Sequence, residues 1–257
     1  VPLSTDFVPA EGWIGSLDMA IYRDGATSAD NFVFVSYLTP GNRYPAVRRL
    51  TAIDEVSGSA TPGVYGASEL STFNAEDTGI AVDSGGRPWV ITKEDTGSGW
   101  EPVVYTSDGA SWSTVGSGGV VPFDPATQDL MFVDIAINQA DLPVVVLNYH
   151  IPGSDDYNLI KMMEWTGSEW SDMGAVIDEG QNVQLAADDD GAVYLAYRDN
   201  NSNGMSVLKW NGSVWASTGA VLRDGQAIHI NGTHPPAVVI DTDHDGVYAD
   251  LVAYRLD

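Results

Sequence analysis

Apolar residues in this chain fall in short alternating runs, separated by Gly, Asp and Asn. Five runs lead the pattern: NFVFVSYL (31–38), RPWVITKE (87–94), LPVVVLNYH (142–150), AVYLAYR (192–198) and ADLVAYR (249–255). Each is strand-sized, rich in β-branched and aromatic residues, and preceded by a turn-forming residue. A second apolar segment lies before each run and itself ends in a turn: LDMAIYRDG, GIAVDSGG, DIAINQAD, LAADDDG and AVVIDTDHDG. Small residues recur inside these segments, at Ala20, Ala81, Ala136 and Ala186. Third segments follow the runs (PAVRRLTAI, EPVVYTS, NLIKMMEW, MSVLKW), then short fourth ones (WSTVG, WSDMG, WASTG). No stretch carries a 3.6-residue period, so helix is expected to be nearly absent.

Aligning the five runs sets Tyr37, Lys93, Tyr149, Tyr197 and Tyr254 in one column, at spacings of 56, 56, 48 and 57 residues. Four short strands per repeat of roughly 50 residues, with turn residues between them, is the pattern of a β-propeller. The small residues suit the crowded centre of a radial assembly. The expectation is therefore an all-β chain: a five-bladed β-propeller of four-stranded blades, one domain over residues 1–257. The blades would span about 17–77, 78–130, 131–180, 181–233 and 234–257. The last repeat stops after its second strand. Residues 1–16 are expected to supply its outer strands and close the ring, which leaves no blade with an open edge.

Two stretches share one aromatic motif, WTGSEWSDMG (165–174) and WNGSVWASTG (210–219). A third copy is YTSDGASWSTVG, with Tyr105 in the first aromatic place. Trp165 and Trp210 are expected to end third strands, and Trp170 and Trp215 to begin fourth strands. Gly167 and Gly212 would take the positive φ that such a tight turn needs. The segment TSDGASW resembles the Asp-box of sialidase-like bacterial repeat propellers, whose Ser/Thr, Asp, Gly and Trp mark this same turn. Asp108 and Gly109 are adjacent here, where the family pattern has one residue between them. The resemblance covers three of five repeats and concerns the fold only. It implies tryptophans that cover the outer hairpins rather than grip a ligand.

Charge narrows the partners. Thirty-six acidic residues against eleven basic ones give a formal net charge of −25. Such a chain repels phosphate backbones, so nucleic acid is not an expected partner, and an anionic membrane surface is disfavoured too. No apolar run approaches the ~18 residues of a membrane span, so no membrane insertion is expected. There is no cysteine and hence no disulfide framework. The chain begins at Val1 rather than Met, as a processed chain does. A bacterial protein that is secreted or held at the cell surface, the periplasm included, is the expected setting, and a monomer the expected state.

Propellers bind ligands at one face, where second strands run out toward third strands. Leu38, Glu94, His150, Arg198 and Arg255 end the second strands and are expected to occupy equivalent places, with Tyr149, Tyr197 and Tyr254 beside them. The candidate ligand-binding set is therefore Glu94, Tyr149, His150, Tyr197, Arg198, Tyr254 and Arg255. Tyr and Arg pair flat surfaces with hydrogen-bond donors, which suits carbohydrate or anionic ligands. The ring positions differ from repeat to repeat, so a single asymmetric site is expected, not five identical ones. The expected function is non-catalytic binding of a glycan or protein ligand at the central face. Two alternatives stand beside it. One is a five-bladed glycoside hydrolase of arabinanase or sialidase type, with Asp18, Glu94, Asp134 and Glu164 as candidate carboxylates. The other is a scaffold domain of a larger surface protein. The Arg-Ile-Pro signature of sialidases is absent, no Gly-x-Ser-x-Gly elbow accompanies the four histidines, and no catalytic residue is assigned.

One acidic loop resembles the start of a Ca²⁺ site. DTDHDGVYAD places Asp241, Asp243 and Asp245 at alternate positions before Gly246. The next acid, Asp250, sits at the tenth place, which matches neither an EF-hand nor an integrin-type loop. A metal-free acidic hairpin turn is the expectation, and no cofactor is expected.

Overall fold

The computed structural model describes residues 16–22, 32–54, 59–154, 158–174, 177, 180–188, 191–199, 204–218, 237–241 and 250–254. The chain divides into two compact units, residues 1–121 and 122–257. The first holds two four-stranded sheets. Strands β1 (Leu17–Tyr22), β2 (Phe32–Leu38), β3 (Pro45–Asp54) and β4 (Ser59–Glu69) form one. Strands β5 (Ala75–Val82), β6 (Pro88–Asp95), β7 (Trp100–Ser107) and β8 (Trp112–Thr114) form the other. The second unit repeats this with β9 (Asp129–Ile137), β10 (Pro143–His150), β11 (Leu159–Trp165) and β12 (Trp170–Asp172), then β13 (Gly180–Ala187), β14 (Val193–Asp199), β15 (Gly204–Trp210) and β16 (Trp215–Ser217). A two-stranded pair follows, β17 (Ala237–Asp241) with β18 (Asp250–Tyr254). Every pairing is antiparallel between chain neighbours, so each four-stranded sheet is a simple meander, the form of a propeller blade. Helix among the described residues is limited to a 3-10 turn at Ser117–Gly119.

Among the described residues four complete blades stand where five were expected, with the β17–β18 hairpin in the fifth repeat. The segment expected to complete it, residues 1–15, lies outside the described residues.

Within each unit the first strands of successive blades lie side by side, β1 with β5 and β9 with β13. The recurrent alanines sit on these strands. Ala20, Ala81, Ala136 and Ala186 pair with Phe34, Trp89, Val144 and Tyr194 respectively. The core lies between blades. Phe34 and Val47 meet Ile80, Val90, Val103 and Tyr105 in the first unit. Val144, Val146, Ile160, Met162 and Met173 meet Val183, Leu185, Val193 and Leu195 in the second. Neighbouring first strands belong to different sheets and share no ladder, so their facing backbone groups need other partners. Two aspartates supply them. Asp18 Oδ2 accepts the Ile80 N–H at 2.8 Å, and Asp134 Oδ2 accepts the Leu185 N–H at 2.7 Å. Each lies two places before its alanine, so the same position performs the same link in both units.

The outer hairpins follow the tryptophan motif as expected. Gly109, Gly167 and Gly212 each take φ 93°, a left-handed value that glycine adopts without a Cβ clash. Trp165 pairs with Trp170 and Trp210 with Trp215, with ring centroids 5.4 Å apart in both pairs. Trp112 packs on the core of the first unit, and Trp210 and Trp215 on that of the second. These three tryptophans cover the joint between blades, which is a folding role.

One surface departs from this sealing. Leu17, Met19 and Ile21 alternate along β1 and are exposed, whereas the matching Ile80 and Leu185 are buried against the preceding blade.

Candidate functional site

In each unit the place of interest is where second strands end, third strands begin and the next first strand enters. The expected ligand set is scattered there in depth. Glu94 is fully buried, and its carboxylate accepts hydrogen bonds from Thr92 Oγ1 (2.6 Å), Ser71 Oγ (2.8 Å) and Tyr105 OH (3.1 Å). Burial pushes that carboxyl above its usual range, and the three hydroxyls offset part of the rise. Tyr105 is raised as well, by its own burial and then by the Glu94 charge. Tyr149 is buried edge-on against Phe123, with centroids 5.8 Å apart. His150 is half-exposed, its Nε2 3.1 Å from the Asp129 carboxylate. Tyr197 is buried, and Arg198 is half-buried beside it. Tyr254 closes β18 opposite Ala237, but its side chain, like all of Arg255, lies outside the described residues. Asp241 ends β17, and Asp243 and Asp245 also lie outside them. Among the described residues no cluster of three or more His, Cys, Asp or Glu is placed to hold a metal ion.

The register corrects one expectation. Counting four residues on from the partners of the alanines reaches Leu38, Lys93, Asn148 and Arg198. These are the equivalent places. Glu94 lies one residue beyond the column and His150 two beyond it. The tyrosines that suggested the alignment mark where apolar runs stop, whereas the cross-strand partner sets the register. At these places Asn148 is fully buried and donates through Nδ2 to the Leu159 and Gly180 carbonyls at 3.0 and 2.9 Å, tying two blades together.

Lys93 anchors a cluster that sequence reasoning missed. On β5 the pairing passes from Ala75–Glu94 to Asp77–Lys93, so Glu76 is the extra residue of a β-bulge. Bulges re-aim side chains, and here Glu76 Oε2 lies 2.7 Å from Lys93 Nζ. Its other oxygen is 3.8 Å from the Arg43 guanidinium. Lys93 Nζ sits 5.1 Å from the centre of the Trp100 ring, within range of a cation–π contact. Arg43 is exposed, in the loop after β2, at φ 56°. That left-handed bend lets its carbonyl accept the Ala75 N–H at 2.9 Å. Asn158 repeats the device in the second unit, at φ 66° with its carbonyl on the Gly180 N–H at 2.8 Å. There Gln181, opposite Arg198, holds the entry of the first strand. One junction thus carries Arg, Glu and Lys, and the other Asn, Gln and Arg. The signal in the sequence was faint: an opposite-charge pair across a hairpin whose register only the alanine positions reveal.

Two of the carboxylates named for catalysis are held in blade-to-blade links. Asp18 is half-buried, and burial pushes its carboxyl up to about 6, opposed by the N–H groups of Ile80 and Met19. Asp134 accepts the Ile135 N–H through Oδ1 as well as the Leu185 N–H. Glu164 lies on the third strand β11, opposite Ser171 of the outermost strand.

No family model matches this chain, and no curated protein matches it. Solved structures do. A Hadza microbial sialidase aligns with TM-score 0.50 and 12% identity, over 78% of this chain and 45% of the sialidase. The SapL1 lectin in complex with alpha methyl fucoside aligns with TM-score 0.48 and 17% identity, over 84% of this chain and 65% of the lectin. An alpha-L-arabinofuranosidase from Clostridium thermocellum aligns with TM-score 0.45 and 14% identity, over 87% and 78%. This chain therefore spans under half the length of the sialidase it matches. The likeness shows the fold: an all-β propeller of four-stranded blades.

Proposed function

We propose that this chain is a non-catalytic propeller that binds a carbohydrate ligand at the face where its second strands end. The observation that carries this reading is the use made of the carboxylates there. Asp18 and Asp134 each accept a backbone N–H from the neighbouring first strand, and Glu94 is enclosed by three hydroxyls. In each unit the strand ends leave donors and aromatic rings at least partly exposed, Arg43 and Trp100 in the first, His150 and Arg198 in the second. Such surfaces pair donors for hydroxyl groups with flat apolar platforms. Tyr149, Tyr197 and Glu94 are buried near these strand ends, and the proposed ligand set also takes in Tyr254 and Arg255. Carbohydrate is also the ligand class named for the solved propellers with the same fold. Export to the cell exterior, a monomeric state and completion of the last blade by residues 1–16 belong to the same proposal. Deleting residues 1–15 is then expected to lower the melting temperature of the whole chain.

A second reading has one observation in its favour. Asp18 stands on an innermost strand with its carboxyl raised to about 6, and a raised carboxyl is what a general acid requires. A glycan array and a glycoside-hydrolysis screen on one protein sample separate the two. Binding without release of reducing ends is the expected result. Turnover lost in Asp18→Asn would establish the hydrolase instead.

A further inference from the structure

We infer that Arg43, Glu76, Lys93 and Trp100 form a discrete subsite for a neutral, hydroxyl-bearing saccharide. This rests on the carbohydrate reading above and narrows it to one blade junction and one ligand class.

The four residues come from separate segments that the fold brings together. Arg43 lies on the loop after β2, Glu76 is the bulged residue of β5, Lys93 stands near the end of β6 and Trp100 opens β7. Lys93 is only 7% exposed and is fixed between Glu76 and the Trp100 ring. It orients the carboxylate. Arg43 and Glu76 stand at 3.8 Å, beyond hydrogen-bond length. Arg43 donors and a Glu76 acceptor therefore face solvent side by side without saturating each other. A hydroxyl group both donates and accepts. A sugar hydroxyl, or two neighbouring ones sharing the roles, can give a hydrogen bond to Glu76 and take one from Arg43, whereas an ionised carboxylate has no proton to give Glu76. Trp100 offers an apolar surface at the edge of this pair, where the C–H groups of a sugar ring would rest. The carboxylate at the centre and the chain's net charge of −25 both oppose an anionic ligand.

The backbone supports a functional reading of Arg43. A non-glycine residue at φ 56° is strained, and such strain concentrates at ligand sites. Asn158, at the same place in the second unit, is among the residues that adopt this region more readily.

The strain also provides the test. Arg43→Gly removes the guanidinium while glycine accepts the left-handed bend, so the fold is expected to keep its melting temperature or gain. Binding is measured by calorimetry on the full chain, with methyl glycosides of glucose, galactose, mannose, fucose and arabinose, and with N-acetylneuraminic acid as the anionic probe. At least one neutral glycoside should bind, and Arg43→Gly and Glu76→Gln should each weaken it tenfold or more at unchanged melting temperature. Arg198→Ala serves as the second arm. Loss in Arg43→Gly supports the subsite whether or not Arg198→Ala also weakens binding. Loss in Arg198→Ala alone removes this subsite and leaves the carbohydrate reading standing. Binding of N-acetylneuraminic acid above every neutral glycoside overturns the ligand class. No binding of any glycan, on the array or here, overturns both.

Discussion

Trp215 lies 5.4 Å from Trp210 and packs on the core between the two complete blades of the second unit. Its indole N–H, like that of Trp170, is buried and finds no acceptor among the described residues. The ring contributes by area, then, and the N–H works against it, since an unsatisfied buried donor costs ~1–3 kcal/mol. Two substitutions separate the terms. Trp215→Ala is expected to lower stability by about 3 kcal/mol through the cavity it leaves. Trp215→Phe keeps most of the surface and deletes the orphan donor, so its cost should stay below ~1.5 kcal/mol. Urea denaturation measures both. Equal losses in the two variants would mean that the N–H has a partner.

At the scale of the element, the hairpins between first and second strands share one turn. Asp83, Asn138 and Asp188 occupy the same place in three blades, and the side-chain oxygen of each caps the loop. Asp83 Oδ1 accepts the N–H groups of Gly85 and Arg87, Asn138 Oδ1 those of Ala140 and Leu142, and Asp188 Oδ1 that of Ala192. Asp188 also accepts from Tyr194 OH at 3.0 Å. Short acceptor side chains favour such turns because they imitate the backbone. Asp188→Ala should therefore cost about 1–2 kcal/mol by thermal or urea unfolding, whereas Asp188→Asn should keep most of the turn. Asp241 ends β17 at the position matching these residues in the AVVID and GIAVD segments. A turn-capping role is thus proposed for it, in place of the calcium loop that Asp241, Asp243 and Asp245 resemble. Melting curves at constant ionic strength should be unchanged by chelator. A drop with chelator that Asp243→Ala abolishes would assign the ion instead.

Over the whole molecule, the buried acids set a pH dependence. Asp18 has its folded carboxyl raised from 3.8 to about 6, and Glu94 is raised in the same direction. The folded state then binds more protons than the unfolded one between these values. The contribution of Asp18 is fully present below pH ~4 and is lost as pH rises through about 6. Mutual repulsion within a chain of charge −25 acts the same way. The melting temperature is expected to fall between pH 5 and pH 7.5. In Asp18→Asn the fall should be smaller, because the amide oxygen still accepts the Ile80 N–H and carries no charge. An unchanged pH profile in that variant would place the titration elsewhere.

The sequence by itself determined the repeat, the strand content, the turn glycines and the structural place of the tryptophans. These follow from local chemistry: two-residue periodicity, β-branched content, and a positive φ that only glycine takes freely. Small residues at Ala20, Ala81, Ala136 and Ala186 even marked the inner strands. Tertiary structure decided what periodicity cannot carry. The bulge at Glu76 adds one residue to β5 without leaving a mark in the apolar pattern, and it turns an ordinary surface acid toward Lys93. Glu94 and His150 slipped out of the ring column for a related reason, since pairing partners and not run ends set the register. Lys93 and Glu76 are 17 residues apart in the chain and 2.7 Å apart in space. Only closure of the hairpin, with Arg43 delivered from the preceding blade by a left-handed bend, makes them a site.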